Sequence, residues 1–221
     1  MATTLTSWHE DIVHSVPGCP NFVITKALRE TAIDFCEDTL LWYTDLDRIT
    51  MVDGTNSYAL SVAAGLQGQI AVIQSVKFKT NGTADSTFTE IPPTTLLEMA
   101  ATKVANWEFE TADAPTYYYL DVDDNLILYP IPSAGSTSGL LLKVNLRPTE
   151  TATSVADFLF TRHRRLIMQG AKAKLLSMVG VPWTDDAKAA ENMQQYEIAK
   201  GMEKDERYTG YFNRNLQVGM K

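Results

Sequence analysis

The stretch NFVITKALRETAIDFCEDT, residues 21–39, decides how the rest of the chain is read. Ile24, Leu28, Ala32, Phe35 and Thr39 recur at three- and four-residue steps, which brings them to one face of an α-helix. Val23, Ala27 and Cys36 widen the buried stripe beyond that of a simple surface helix. Asn21 is the expected N-cap, its side-chain oxygen accepting from a free N–H of the first turn, and Pro20 breaks any earlier helix. A second long helical pattern covers residues 157–179. There Leu166, Gly170, Ala173 and Ser177 form a small-residue seam beside an apolar stripe of Ile167, Ala171, Leu175 and Met178. Small residues let another backbone come close, so this helix is expected to pack tightly on the 21–39 helix. Gly180 and Pro182 end it.

Between these helices the helical period is lost. Trp42, Tyr43, Thr44 and Ile49 suit a pleated strand, Asp53-Gly54 signals a turn, and residues 57–60 read as the return strand. Residues 70–79 give the clearest strand, with Ile70, Val72, Gln74, Val76 and Phe78 on one face. Asn81-Gly82 offers the positive-φ residues of a hairpin turn, after which residues 87–91 pair back. Thr95 and Glu98 form a capping box for a short helix carrying Leu96, Met99 and Ala100. Residues 116–122 and 126–129 read as a second hairpin around 123–125, and 140–146 as the last strand. Strands separated by turn signals imply a largely antiparallel sheet and not βαβ units.

Ser7 and Glu10 resemble a capping box for a short helix that buries Trp8 and Ile12 and stops at Val16-Pro17-Gly18. Thr184 is the expected cap of a final helix to about residue 207, with Asp185 and Asp186 favourable at its positive end. Its best face, Ala187, Ala190, Gln194, Ile198 and Met202, is only weakly amphipathic, as suits either a subunit contact or an ordinary exposed helix. The fold class is therefore α+β. Residues 1–40 and 150–207 form a helical bundle, 41–149 an inserted, mostly antiparallel β region, and 208–221 a C-terminal docking arm.

Composition narrows the function. A chain of 221 residues buries a sizeable core. No run of about eighteen apolar residues marks a membrane span, and residues 1–6 lack a secretory signal. Cys19 and Cys36 read as two free thiols in a reducing cytoplasm. The net charge of −8 argues against a protein that neutralises nucleic-acid phosphates. No metal or cofactor is called for. His9 and His14 imitate a zinc-binding helix, but five residues put them about 140° apart on it. Asp121, Asp123 and Asn125 imitate a calcium loop, yet Leu126 and Pro132 replace its glycine and bidentate glutamate, which leaves a polar turn. Asn81-Gly82-Thr83 fits a glycosylation sequon but reads as the hairpin turn. Phosphate loops, nucleophile elbows and Cys-x-x-Cys pairs are missing, so an enzyme is disfavoured.

Three constellations point to partners. Arg162, Arg164 and Arg165, with His163, crowd the first half of a helix, where the dipole disfavours cations. They either pair with this chain's own acids or face an acidic partner surface or phosphate. Tyr117, Tyr118 and Tyr119 suggest a sugar-stacking platform, although alternation leaves at most two on one side of a strand. The segment with Tyr208, Tyr211, Phe212, Leu216 and Val218 is too apolar for a solvated end, and Arg214 adds an interface-type residue. It either packs back on its own domain or docks on another protein.

The order of these features resembles that of the head-to-tail adaptor (connector) proteins of tailed bacteriophages. The residues that carry the resemblance are Trp8, Val16-Pro17-Gly18-Cys19-Pro20, Ala27-Leu28-Arg29 and Phe35-Cys36. Gly54 with Tyr58, Pro115 before Tyr118-Tyr119, Leu128-Tyr129-Pro130 with Pro132, Gly170-Ala171 and Pro182-Trp183 complete it. The resemblance implies a ring of subunits, commonly twelve, beneath the portal protein of the head. A tail or nozzle protein would bind below, and genomic DNA would pass through the lumen without specific binding. It implies a virion protein at the head–tail interface, assembled in the host cytoplasm, with no membrane partner and no catalytic residues. Tyr208, Tyr211, Phe212 and Arg214 would reach the portal. The competing reading is a carbohydrate- or ligand-binding β module of a phage tail or surface protein, stacking sugars on Tyr117 or Tyr119. A metal-dependent hydrolase using His9 and His14 is a third class.

Overall fold

The computed structural model of the chain describes residues 2–79, 88–102, 107–133 and 135–209. The elements run β1 (Ala2–Thr4), α1 (His9–Val13), α2 (Asn21–Thr39), β2 (Tyr43–Asp45), β3 (Ile49–Met51), β4 (Ser57–Tyr58), β5 (Gly68–Phe78) and β6 (Thr89–Ile91). They continue α3 (Leu96–Thr102), β7 (Thr111–Ala112), β8 (Tyr117–Leu120), β9 (Leu126–Tyr129), β10 (Ile131–Pro132), β11 (Ser136–Pro148), β12 (Ser154–Ala156), α4 (Asp157–Leu176) and α5 (Asp186–Thr209). Helices and mostly antiparallel strands make this an α+β protein. It divides into two compact units, one of Met1–Trp42, Ala63–Ala71 and Leu146–Lys221, the other of Tyr43–Val62 and Val72–Asn145.

In the first unit α2, α4 and α5 pack on one another. Ile24, Leu28, Ala32 and Phe35 of α2 are buried, as are Leu166, Ile167, Ala171 and Leu175 of α4. The small-residue seam does what its composition predicts at Gly170. A Cβ there would lie 2.5 Å from Thr31 Cγ2 and 3.0 Å from Tyr196 Cδ2, so three helices meet where one has no side chain. The buried hydroxyls of Thr31 and Thr39 donate to carbonyls one turn back, Ala27 O at 2.8 Å and Phe35 O at 2.6 Å. The α4 helix stops at Leu176, short of residue 179, and leaves Val179 exposed before Gly180 turns with φ +81°.

Three caps differ from expectation. The break before α2 sits on Pro20, extended at ψ 140°, and its carbonyl accepts from Val23 N and Ile24 N, so Asn21 is already inside the helix. At α1 a 3₁₀ turn over Leu5–Trp8 runs straight into the helix and leaves no break to cap; Ser7 Oγ donates instead to Thr4 O at 2.7 Å. At α5 the acceptor for Lys188 N is Asp185 Oδ1 at 3.1 Å, while the Thr184 hydroxyl turns back to Val181 O. The face of α5 is also corrected. Ala189 and Tyr196 are buried, whereas Ala187, Ala190, Gln194, Ile198 and Met202 are exposed, because the one large aromatic side chain outweighs a run of small ones.

The segment before α1 is structured as well. β1 pairs antiparallel with β12, Ala2 opposite Ala156 and Thr4 opposite Ser154. This carries Leu5, Trp8, Ile12 and Val16 into the core, with Trp8 edge-on to Phe160 at 5.3 Å. Gln67 joins the same unit through its side chain, whose Oε1 accepts from Thr153 N at 2.8 Å and Ser154 N at 3.1 Å.

In the second unit, the five-stranded sheet has the order β2-β11-β5-β6, with β3 also on β11. Val76 stands opposite Ile91, as the first predicted hairpin requires; its turn residues Asn81 and Gly82 lie outside the described residues. The second hairpin is β8–β9, Tyr117 opposite Tyr129 and Leu120 opposite Leu126. The return strand after Gly54 departs from the local reading. β4 leaves β3 and pairs with β9, Tyr58 opposite Leu126, because Tyr58 is buried and its hydroxyl donates to Thr55 O at 2.7 Å. The α3 capping box is present: Glu98 N donates to Thr95 Oγ1 at 3.1 Å and Thr95 N to Glu98 Oε2 at 3.0 Å.

Gly170→Ala tests the three-helix junction. It is expected to lower stability by about 1–3 kcal/mol through overpacking, against a helix-propensity gain of about 1 kcal/mol. Gly201→Ala, in α5 with nothing within 4 Å of the new Cβ, should be neutral or stabilising. Urea unfolding midpoints of the two variants check the pair.

Candidate interaction surfaces of the helical unit

The arginine run on α4 separates into two kinds. Arg164 is half-buried, with its guanidinium 4.7 Å above the Phe160 ring and paired with Asp11 of α1. Arg162 and Arg165 project to solvent from the same helix, and neither makes an ion pair among the described residues. His163 between them points inward, 5.1 Å from the Phe35 ring, with Nδ1 3.4 Å from a Glu203 oxygen. Burial lowers its pKa most; Glu203 works against that shift and Arg162 adds to it. The imidazole is thus neutral near pH 7, and Nδ1 lacks hydrogen-bond geometry to Glu203, so this contact is polar and not a strong ion pair.

Arg162 and Arg165 line a groove of about 390 Å³ between α4 and α5. Leu166 contributes to it from α4, and Ile198 and Met202 from α5, where they are 53% and 65% exposed. These apolar side chains belong to the outward face of α5 that the internal core does not use. A basic edge beside an apolar strip is a surface that suits an acidic, partly apolar protein partner.

A second concavity, of about 160 Å³, lies where α2, α4 and α5 meet. Lys174 pairs with Asp34 at 2.5 Å, and Lys200 is shared between Asp38 at 2.7 Å and Glu197 at 2.9 Å. Glu37 also lines it and pairs with Arg147 at 2.5 Å. Tyr196 closes this cavity. The residue is 3% exposed, yet its hydroxyl has no hydrogen-bond partner among the described residues. Burial raises its pKa, and Asp34, Glu197 and Asp38 push it further up, so the field at the hydroxyl is negative despite the two lysines. On α5, Tyr196 and Lys200 are two positions from Ile198 and Met202, about 200° around the helix, so groove and cavity lie on opposite flanks of α5.

The other sequence candidates fall elsewhere. His9 Nε2 is 2.9 Å from Thr25 Oγ1, and His14 is exposed at the end of α1, so the two do not converge. Asp121 Oδ1 accepts from Asp123 N and Asn125 N, both at 2.9 Å, which makes the 121–125 segment the polar turn expected. Tyr118 is buried, whereas Tyr117 and Tyr119 share the other face of β8. Cys19 and Cys36 are both buried free thiols, each with its pKa pushed up by burial. Tyr208 lies in the last turn of α5, and Tyr211, Phe212 and Arg214 lie outside the described residues. No helix among the described residues is long and apolar enough to cross a membrane. The acidic cavity escaped the sequence reading. Its trace is there in Asp34 with Asp38 and Tyr196 with Lys200, two pairs at i, i+4 on helices that meet only in the folded unit.

Among known protein families, the model described as SU10 adaptor protein matches residues 11–217, nearly the whole chain. Comparison with curated proteins finds no match.

The neutral His163 gives the fold a pH signature. Its folded pKa lies below the ordinary 6.5, so the stability it contributes is complete above about pH 6.5 and is lost as pH falls through the folded value. Urea midpoints of the native chain should therefore fall between about pH 7 and pH 5, and His163→Phe should flatten the slope. His9, also lowered by burial, contributes in the same direction and remains in the variant.

Proposed function

The chain belongs to the SU10 adaptor protein family, a family of phage head-to-tail adaptors, and from that premise we propose that it builds the ring beneath the portal. It is a structural component of the virion and its family is not one of enzymes. In the proposed assembly twelve copies complete the DNA-filled head, continue the DNA channel and present the surface to which the tail or nozzle protein attaches. The match over residues 11–217 carries this reading. Two features of the chain support it. A net charge of −8 per subunit suits a duct through which DNA slides without adhering. The exposed Ile198 and Met202 beside Arg162 and Arg165 suit contact with another protein.

The residues proposed to touch partners fall in two groups. Tyr208, Tyr211, Phe212 and Arg214 form the arm that docks on the portal, aromatic and arginine side chains being the usual anchors of such contacts. Arg162 and Arg165 face a neighbouring protein, and Arg164, held by Asp11 and Phe160, fixes α4 in place behind them.

Electron microscopy of the chain mixed with purified portal should show a ring at the portal exit, with a particle mass that gives the copy number. A portal exit that stays bare refutes the adaptor assembly. Removing residues 208–221, or replacing Tyr211 and Phe212 by alanine, should abolish portal attachment while the urea midpoint stays unchanged. Undiminished attachment would refute the arm.

A further inference from the structure

On one side of α5 lies a groove edged by Arg162 and Arg165 of α4, with Glu203 as its one carboxylate, and on the other side a cavity in which carboxylates outnumber lysines. We propose that the neighbouring copies in the ring meet here, Arg162 and Arg165 of one subunit entering the acidic cavity closed by Tyr196 in the next. This assignment rests on the ring reading and names the surfaces that make it.

Four observations lead to it. First, Arg162 and Arg165 stand in the first half of α4, where the helix dipole opposes them, and no acid among the described residues pairs with them. Arg164, one residue away, has both an acid and an aromatic partner within its own chain. Second, the cavity holds four carboxylates, Asp34, Glu37, Asp38 and Glu197, against Lys174, Lys200 and Arg147, which leaves an excess of one negative charge. Those carboxylate side chains remain 43–53% exposed, so they stay accessible to a further cation.

Third, the Tyr196 hydroxyl is buried without a hydrogen-bond partner among the described residues, a costly state unless something completes it. A guanidinium N–H donating to that oxygen does so. A bare metal ion fits less well, because no three acids converge on one point among the described residues, whereas the five N–H groups of a guanidinium are spread over a plane. Fourth, the complementary surfaces lie on opposite sides of one helix in one compact unit. A self-complementary patch gives a closed dimer. Two different patches give a head-to-tail contact, the kind that closes into a ring when the rotation from copy to copy completes a circle. Ile198 and Met202 beside the arginines, and Met193 beside the cavity, supply the apolar part of the contact.

Charge reversal tests this on the full chain. Arg162→Glu with Arg165→Glu should raise the concentration for half-assembly about a hundredfold or more, since like charges face each other across the contact. Glu37→Lys with Glu197→Lys should do the same, and leaves Asp38 to hold Lys200. All four substitutions in one chain should restore assembly, because every contact then carries the reversed pair. Tyr196→Phe should weaken assembly without lowering the urea midpoint, a result that a merely structural hydroxyl would not give. Mass photometry with and without portal reads all variants. If the native chain forms no ring, the ring reading itself fails. If the native chain assembles and the two reversals assemble equally well, the ring stands and this contact is overturned. Loss of assembly without rescue in the fourfold variant, its fold intact by urea midpoint, also overturns it.

Discussion

The absence of a side chain at Gly170 governs the helical unit. Thr31 and Tyr196 occupy the volume that a Cβ would need, so α2, α4 and α5 approach at a distance only glycine permits. The polar arrangement follows from that approach. Lys174 is one turn beyond Gly170 and meets Asp34; Lys200 is one turn beyond Tyr196 and meets Asp38. Once Tyr196 faces inward, the helical period commits Ile198 and Met202 to the opposite side. A single backbone contact therefore fixes both the buried junction and the exposed strip.

The cations of this acidic chain are allotted by chemistry. Two lysines, Lys174 and Lys200, serve the cavity, where a compact ammonium on a flexible stem satisfies carboxylates on α2 and α5. Arginines tie further segments to the helices: Arg147 reaches Glu37 of α2 from the end of β11, and Arg164 of α4 reaches Asp11 of α1. His163 is kept neutral by its aromatic surroundings and sits under the groove as a packing residue. Its polarity is spent inward. The groove surface is left to Arg162, Arg165 and the two exposed apolar side chains of α5.

How far the sequence was legible depends on whether a signal is local. The two long helices, both hairpins and the Thr95–Glu98 capping box were readable because their determinants lie within a few residues of one another. The small residues of α4 announced close packing without naming Thr31 or Tyr196. What failed was decided at a distance. β1 finds its partner in β12, which no periodicity in residues 1–6 foretells. β4 leaves its neighbour in sequence for β9, a pairing in which Tyr58 is buried opposite Leu126 and which no signal near residue 58 announces. The face of α5 was misjudged because a count of small apolar residues hides one aromatic side chain that fits a gap on another helix. The cavity shares this cause: its acids and lysines are ordinary surface residues until three helices gather them.

The pairing of α2 with α4 sets an order of events during synthesis. Lys174 and Asp34 are 140 residues apart in sequence, and the whole second unit, together with the 63–71 segment of the first, is translated between α2 and α4. The nascent chain thus exposes the apolar stripe of α2 until α4 has left the ribosome, while the hairpins in between already have their partners. Contacts that far apart in sequence form more slowly than local pairings, so the hairpins are expected to organise before the three helices meet. The three-helix junction therefore cannot close before α5, the last helix to be synthesised, has joined α2 and α4.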